Sequence, residues 1–366
     1  MKRRLVLPHL FAILIFASIL WLPVGTQRLT HADRNSAGAL SDEATATLSS
    51  LEKVDDYPLY TMRYYGAYQQ VSSSLGGPAA LTSVARSDTR EALSAPAWAC
   101  TLFVALGDTR NRLYGRNFDW EYSPALLLFT QPPDGYPSVS MVDIAYLGFA
   151  GDSARTLLDL PLLERQALLD APYLPFDGMN AYGLAVAMAA VPPGQMRPDP
   201  RKATIGSLGV IRKILDHART VDEAVEMLKR YNIDMTGGPP LHYLIADPSG
   251  HAALVEFYQG EMIVLANEKP WQVATNFLRS SVKGSAAGQC WRYDTVSQRL
   301  TDAEGRVTMQ EAGDLLATVS QPGTQWSIVY GMSTGDVTVT MGKQYDKASH
   351  HFHLSLVDLV VLHSGG

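Results

Sequence analysis

Two cysteines among 366 residues are too few to staple a fold. Cys100 and Cys290 can form one disulfide at most, so a buried core must hold the chain together. Excess charge of one sign is missing as well: 30 Lys and Arg against 36 Asp and Glu leave a net charge of −6. With no basic patch interleaved with aromatics, a nucleic-acid partner is excluded. There is no internal repeat. His350-His351-Phe352-His353 has no carboxylate or cysteine at metal-ligand spacing to complete a site, and reads as a partly exposed strand. Gly151-Asp152-Ser153 lacks the strand-to-helix elbow and following glycine of a serine hydrolase, and reads as a loop. None of the nine histidines sits in a recognisable cysteine-protease context.

What is present is an ordinary globular composition, 46% hydrophobic and 18% charged, able to bury a large core in one large domain or two. The extreme N-terminus departs from it. Lys2-Arg3-Arg4 precedes an apolar run over residues 10–22, followed by Pro23, Gly25 and Thr30-His31-Ala32. That order reads residues 1–32 as a secretory signal. Left uncleaved, residues 5–25 would instead anchor the chain, although the run is shorter than the roughly 20 residues a spanning helix wants. Either way the bulk of the protein lies outside the cytoplasm, secreted or surface-anchored.

Residues 33–50 are small and polar and read as a linker. Tyr60, Tyr64 and Tyr68 follow at helical spacing, a stripe suited to packing. Strands are expected at 125–130 and 138–146, a helix at 157–169, a turn at 176–180 and a buried strand at 183–191. Two helices come next, one carrying Leu208, Ile211, Leu215 and Ala218. The other opens on a Thr220/Glu223 capping box. Further strands are expected at 241–246, 252–257, 262–266 and 273–276, then a helix capped by Thr308 and Glu311, then strands at 326–330, 337–341 and 352–357. Helices cluster between groups of strands instead of alternating with them, which favours an α+β layered sandwich over a doubly wound parallel sheet.

The chemistry concentrates in residues 100–120. An apolar strand ends near Leu106, Gly107 to Arg112 supplies turn residues, and a second strand follows. Pairing Leu106 with Leu113 sets Cys100 opposite Asp119 and Phe103 opposite Arg116. Directly opposed residues lie roughly 4.5–5.5 Å apart, so a thiol, a carboxylate and a guanidinium gather at one end of a hairpin. Charges on a half-buried strand need partners, and such groups mark functional sites.

This run, Cys100 through Gly115-Arg116-Asn117-Phe118-Asp119-Trp120, resembles the linear amide C–N hydrolases of the choloylglycine hydrolase family, which includes bile salt hydrolases and penicillin V acylases. Acid ceramidase and penicillin acyltransferase are more distant relatives. Asp177-Gly-Met-Asn180-Ala-Tyr-Gly183-Leu184 is similar to the family's Asn-x-x-Gly-Leu turn, Thr275-Asn276 to its oxyanion Asn, and Trp326-Ser-Ile-Val-Tyr330 to its C-terminal strand. Arg292 resembles its late active-site Arg, with Arg279 and Arg299 competing nearby. The strand Ala187-Met188-Ala189-Ala190 departs from the pattern, because family members often carry Asn or Tyr near its end.

The resemblance implies a four-layer αββα N-terminal nucleophile hydrolase and needs no cofactor. It implies Cys100 as nucleophile with its own α-amine as base, Arg116 favouring the thiolate, Asp119 holding the amine, and Asn276 and Arg292 completing the site. Because 99 residues precede Cys100, it further implies self-cleavage between Ala99 and Cys100, as in acid ceramidase and penicillin acyltransferase. Residues 33–99 are then a pro-segment that stays bound, and 100–366 the catalytic domain. The expected partner is a small acyl amide, and a homo-oligomer is compatible with everything above. An acyltransferase using the same site and a catalytically silent extracytoplasmic binding protein are the alternatives.

Overall fold

Strand patterning accounts for most of the structure, a computed structural model that describes residues 40–68, 99–194 and 196–357. The signal or anchor expected over residues 1–32 lies outside the described residues, among which no helix is long and apolar enough to cross a membrane. A nine-stranded sheet runs in the order β1 (Glu52–Asp55), β2 (Leu59–Tyr64), β5 (Ala125–Thr130), β6 (Ser138–Asp143), β7 (Asp177–Asn180), β8 (Ala185–Ala190), β11 (Leu241–Ala246), β12 (Ala252–Tyr258) and β13 (Glu261–Ala266). Its neighbours are antiparallel except β2 and β5, which are parallel. A six-stranded antiparallel sheet runs β14 (Trp271–Ala274), β3 (Ala99–Ala105), β4 (Leu113–Asp119), β15 (Thr324–Gly331), β16 (Asp336–Met341) and β17 (His350–His353).

The helices are α1 (Asp42–Ser49), α2 (Asp152–Arg155), α3 (Gly209–His217), α4 (Val221–Lys229), α5 (Trp291–Asp302) and α6 (Met309–Thr318). One core joins Leu102, Val104, Tyr114 and Phe118 of the six-stranded sheet to Met179, Leu184 and Ala187 of the larger one, and on to Ile211, Leu215 and Val225 of α3 and α4. A second core packs Phe103, Ala105 and Leu113 against Val296, Leu300, Leu315 and Leu316 of α5 and α6. Helices therefore cover the outer face of each sheet, and the architecture is the αββα sandwich of an α+β protein. The strand period of two explains the division, since even-numbered residues of β3 face the other sheet and odd-numbered ones face helices. All seven residues of β4 are buried, and each large apolar side chain so buried is worth about 1.5–3 kcal/mol. With cores of this size both cysteines stay free.

Several expectations change. The linker at 33–50 contains α1, capped by the Ser41 side chain, which accepts from the Ala44 N–H. Tyr60 and Tyr64 lie on a strand, because a spacing of four fits two pleats as well as one helical turn. Their hydroxyls donate to the carbonyls of Ala154 and Leu169. Residues 42–64, assigned above to the pro-segment, thus supply one helix and two strands of the large sheet. The helix expected at 157–169 is 3-10 in character, over Leu157–Asp159 and Leu162–Tyr173, with Pro161 and Pro172 interrupting an α-helical ladder.

The turn expected at 176–180 is strand β7, and the chain reverses just after it. There Asn180 Oδ1 accepts from the N–H groups of Tyr182 and Leu184, and Asn180 Nδ2 donates to the carbonyls of Leu215 and Ala218 in and after α3. Gly183 sits at φ +73°, where a Cβ would lie 2.1 Å from the Met332 carbonyl oxygen, so only glycine fits. Thr308 and Glu311 form both halves of a capping box. Thr220 caps Glu223, but the Glu223 carboxylate accepts from Arg219 N–H instead, one residue early. A short parallel pair, β9 (Ala203–Gly206) and β10 (Tyr231–Asp234), has no counterpart in the sequence reading.

Candidate active site

The β3–β4 hairpin forms, one residue out of the expected register. Cys100 pairs with Phe118, Leu102 with Arg116, and Ala99 with Asp119. Opposed residues share a face, so Cys100 and Arg116 point between the sheets while Asp119 is on the face that carries Ala99 and Thr101. The cause lies in the turn: pairing begins at Ala105 and Leu113 and leaves Leu106 outside the ladder, bonded instead to the Pro270 carbonyl.

The residues from far along the chain converge on the main chain of Cys100. Cys100 N–H donates to Asn276 Oδ1 at 2.7 Å. Arg292, at the start of α5, donates from Nη1 to the Cys100 carbonyl and to Thr101 Oγ1, and from Nη2 to Asn276 Oδ1 at 2.9 Å. Asn276 Nδ2 donates to the Ala190 carbonyl at 2.8 Å. The departing strand Ala187–Ala190 therefore meets the site through a backbone oxygen, not through a side chain. Neither competing arginine comes here: Arg279 donates to Val282 and Gly284 carbonyls, and Arg299 pairs with Glu311.

Two acids sit close by. Asp119 is buried, its Oδ1 accepts from the Thr324 hydroxyl, and its Oδ2 has no hydrogen-bond partner among the described residues. Arg116 is fully buried and its Nη1 contacts Asp177 Oδ2 at 2.5 Å and the Phe176 carbonyl at 2.7 Å. Asp177 also accepts from Tyr330 Oη at 2.5 Å and Trp326 Nε1 at 3.4 Å. The Cys100 thiol, 3% exposed, is pushed up by burial, with Arg116 pulling it down and Asp119 adding to the rise. The expected help from Arg116 is thus outweighed by burial.

A sequence model of the "linear amide C–N hydrolases, choloylglycine hydrolase family" matches residues 100–281. The chain belongs to this family. Among curated relatives, a penicillin V acylase from Pectobacterium atrosepticum is 25% identical over 199 residues, which is 50% of this chain and 50% of that protein. The chain thus matches about half the length of that relative. Two similar solved structures are a penicillin V acylase from Agrobacterium tumefaciens (17% identity, 71% of this chain and 88% of that one, TM-score 0.48) and a mutant conjugated bile acid hydrolase from Clostridium perfringens (19%, 71% and 94%, 0.49).

In this family member, sequence reasoning overlooked Asp177 and Thr324. Asp177 stood inside the stretch matched to the Asn-x-x-Gly-Leu turn, but nothing local distinguishes it among 36 acidic residues as the counter-ion of Arg116. Only the stacking of the two sheets brings β7 under β4.

Burial pushes Asp119 up to about 6 from an ordinary 3.8, against the opposing pull of Thr324, Arg292 and Arg116. Below pH 3.8 the folded and unfolded chains both hold the proton. Between there and pH 6 the folded chain keeps a proton that the unfolded chain has lost, so stability falls as pH rises through about 6. The difference corresponds to about 3 kcal/mol. Asp119→Asn, made in a Cys100→Ala background, should therefore gain stability over its parent by about 2 kcal/mol between pH 4 and pH 8. Urea unfolding at both pH values measures it; a gap that does not change with pH would refute it.

Proposed function

We propose that the protein is a cysteine N-terminal nucleophile amidase that frees Cys100 by cutting its own chain and then hydrolyses a non-peptide acyl amide. The observation that carries this reading is the convergence of Asn276 and Arg292 on the Cys100 N–H and carbonyl. Once freed as an α-amine, the same nitrogen would keep an acceptor beside the thiol it has to deprotonate. The family match begins at Cys100 as well.

In the first step Cys100 Sγ attacks the Ala99 carbonyl. A thioester forms, the Ala99–Cys100 C–N bond breaks, and the nitrogen leaves as an amine after taking a proton. Water then hydrolyses the thioester, releasing Ala99 as a carboxylate and restoring the thiol. The nitrogen that becomes the α-amine already donates to Asn276 Oδ1, and Asp119, whose Oδ2 has no partner among the described residues, sits across the ladder from Ala99 and supports the role of second acceptor.

In turnover the α-amine, with an ordinary value of about 7.7–8.0, takes the thiol proton. The thiolate adds to the substrate carbonyl, and the oxyanion is met by the Asn276 Nδ2 hydrogen that Ala190 does not use. Collapse expels the amine with the proton from the α-amine, and water releases the acid from the acyl-enzyme. The basic and apolar N-terminus supports export from the cytoplasm, as a cleaved signal or as an anchor. A panel of chromogenic acyl amides tests the activity. Release of free acid, lost on alkylation of Cys100, is the expected result, and hydrolysis that survives complete alkylation would overturn the reading.

A further inference from the structure

Outside the site, the buried hydrogen-bonded pair of His242 and Glu256 has no role in the chemistry above. His242 on β11 and Glu256 on β12 have fully buried side chains, with His242 Nδ1 at 3.1 Å from Glu256 Oε1. Two buried ionisable groups in an apolar layer are costly unless their hydrogen bonds are satisfied. Glu256 satisfies its oxygens in an unusual way. Oε1 accepts from the N–H of Arg279 at 2.8 Å, and Oε2 from the N–H of Ser280 at 2.7 Å. These are the first two residues of a single 3-10 turn, Arg279–Ser281, whose N–H groups have no partners within the turn. Burial opposes the charge on Glu256, but His242 and Ser280 outweigh it and hold the carboxylate below its usual range.

The turn begins three residues after Asn276. On the other side, His242 pairs across the ladder with Ala189, and the neighbouring Ala190 supplies the carbonyl that accepts from Asn276 Nδ2. Glu256 therefore ties down the turn that follows Asn276, while the segment that receives Asn276 Nδ2 is held to strand β11 through the backbone ladder. We infer that His242 and Glu256 are positioning residues that fix Asn276 against Cys100 by clamping the Arg279–Ser280 turn to strands β11 and β12. The inference rests on the amidase reading for its kinetic consequence, but not for its structural one.

Glu256→Gln keeps the shape and places an amide donor where one backbone N–H needs an acceptor. Its kcat for acyl amide hydrolysis should fall at least tenfold with KM within twofold. Adding it to Asn276→Ala should cost nothing further, because the two act as a unit; losses that multiply would mark a merely structural role and overturn the inference. A second route avoids the buried pair. Arg279→Pro deletes the N–H at the first position of the turn, where proline is tolerated, while Arg279→Ala keeps it. The proline variant should be at least fivefold slower than the alanine one, and equal rates would overturn the inference. A crystal structure of Glu256→Gln gives a readout free of activity. Asn276 Oδ1 displaced beyond hydrogen-bond distance of Cys100 N is expected, and an unmoved Asn276 would refute the clamp. If the wild type neither cuts itself nor hydrolyses any amide, the amidase reading fails while this structural result still decides the clamp.

Discussion

Cys100→Ala protein is expected to emerge as one unbroken chain without amidase activity, whereas the wild type separates under denaturing conditions into a piece ending at Ala99 and a piece beginning at Cys100. Intact-mass measurement of both proteins distinguishes them directly. The substitution removes the sulfur proposed to form the thioester, in self-cleavage and in turnover alike. Removing a covalent nucleophile costs on the order of 10⁴-fold or more, so hydrolysis should fall to background. The fold should survive, because exchanging one small buried side chain for another costs only about 1 kcal/mol. Under native conditions the two wild-type pieces should stay together. Strand β2 lies between β1 and β5 in the large sheet, and Tyr60 and Tyr64 bond to the Ala154 and Leu169 carbonyls. Gel filtration should return them as one species that denaturation resolves. An uncut wild type with full activity would refute the processing step.

Asp177→Asn should be the most destabilising single-atom change near the site. It preserves volume and the acceptor for Tyr330, but leaves the Arg116 guanidinium fully buried without its counter-ion. Stranding one member of a buried pair costs about 3–5 kcal/mol. In a protein of this size that lowers Tm by on the order of 10 °C. A second effect runs in the opposite sense: with Asp177 neutral, the whole field of Arg116 reaches Cys100. The thiol, held up by burial in the native chain, should then alkylate at lower pH than in wild type. Calorimetry and the pH dependence of alkylation measure the two effects separately. A Tm within 2 °C of wild type would mean that water or relaxation supplies what Asp177 does.

Much of the architecture was already legible locally. Strands β5, β6, β8, β11 to β13, β15 and β16, helices α3, α4 and α6 and the Thr308–Glu311 cap follow from periodicity and short-range capping, which depend on neighbours within a few residues; β7, β9, β10 and α5 do not. The errors share a physical source. The spacing of Tyr60 and Tyr64 suits both the helical and the strand period, and pairing with β5, more than sixty residues away, makes the choice. The hairpin slipped by one residue because its register depends on how Leu106 meets Pro270, not on the turn residues alone.

The same division runs through the candidate site. By itself the sequence determined which residue types are available: a thiol, an arginine and an aspartate on one hairpin, with Asn276 and Arg292 identified by likeness to a family. Only the tertiary structure decided their partners. It buried the thiol so deeply that Arg116 cannot hold it ionised, set Asp177 against Arg116, and turned Asn276 and Arg292 toward the backbone of Cys100. Those outcomes depend on stacking two sheets and docking α5, contacts between residues up to 192 apart in sequence. Electrostatic energies vary with distance and burial, and neither can be read from residue order.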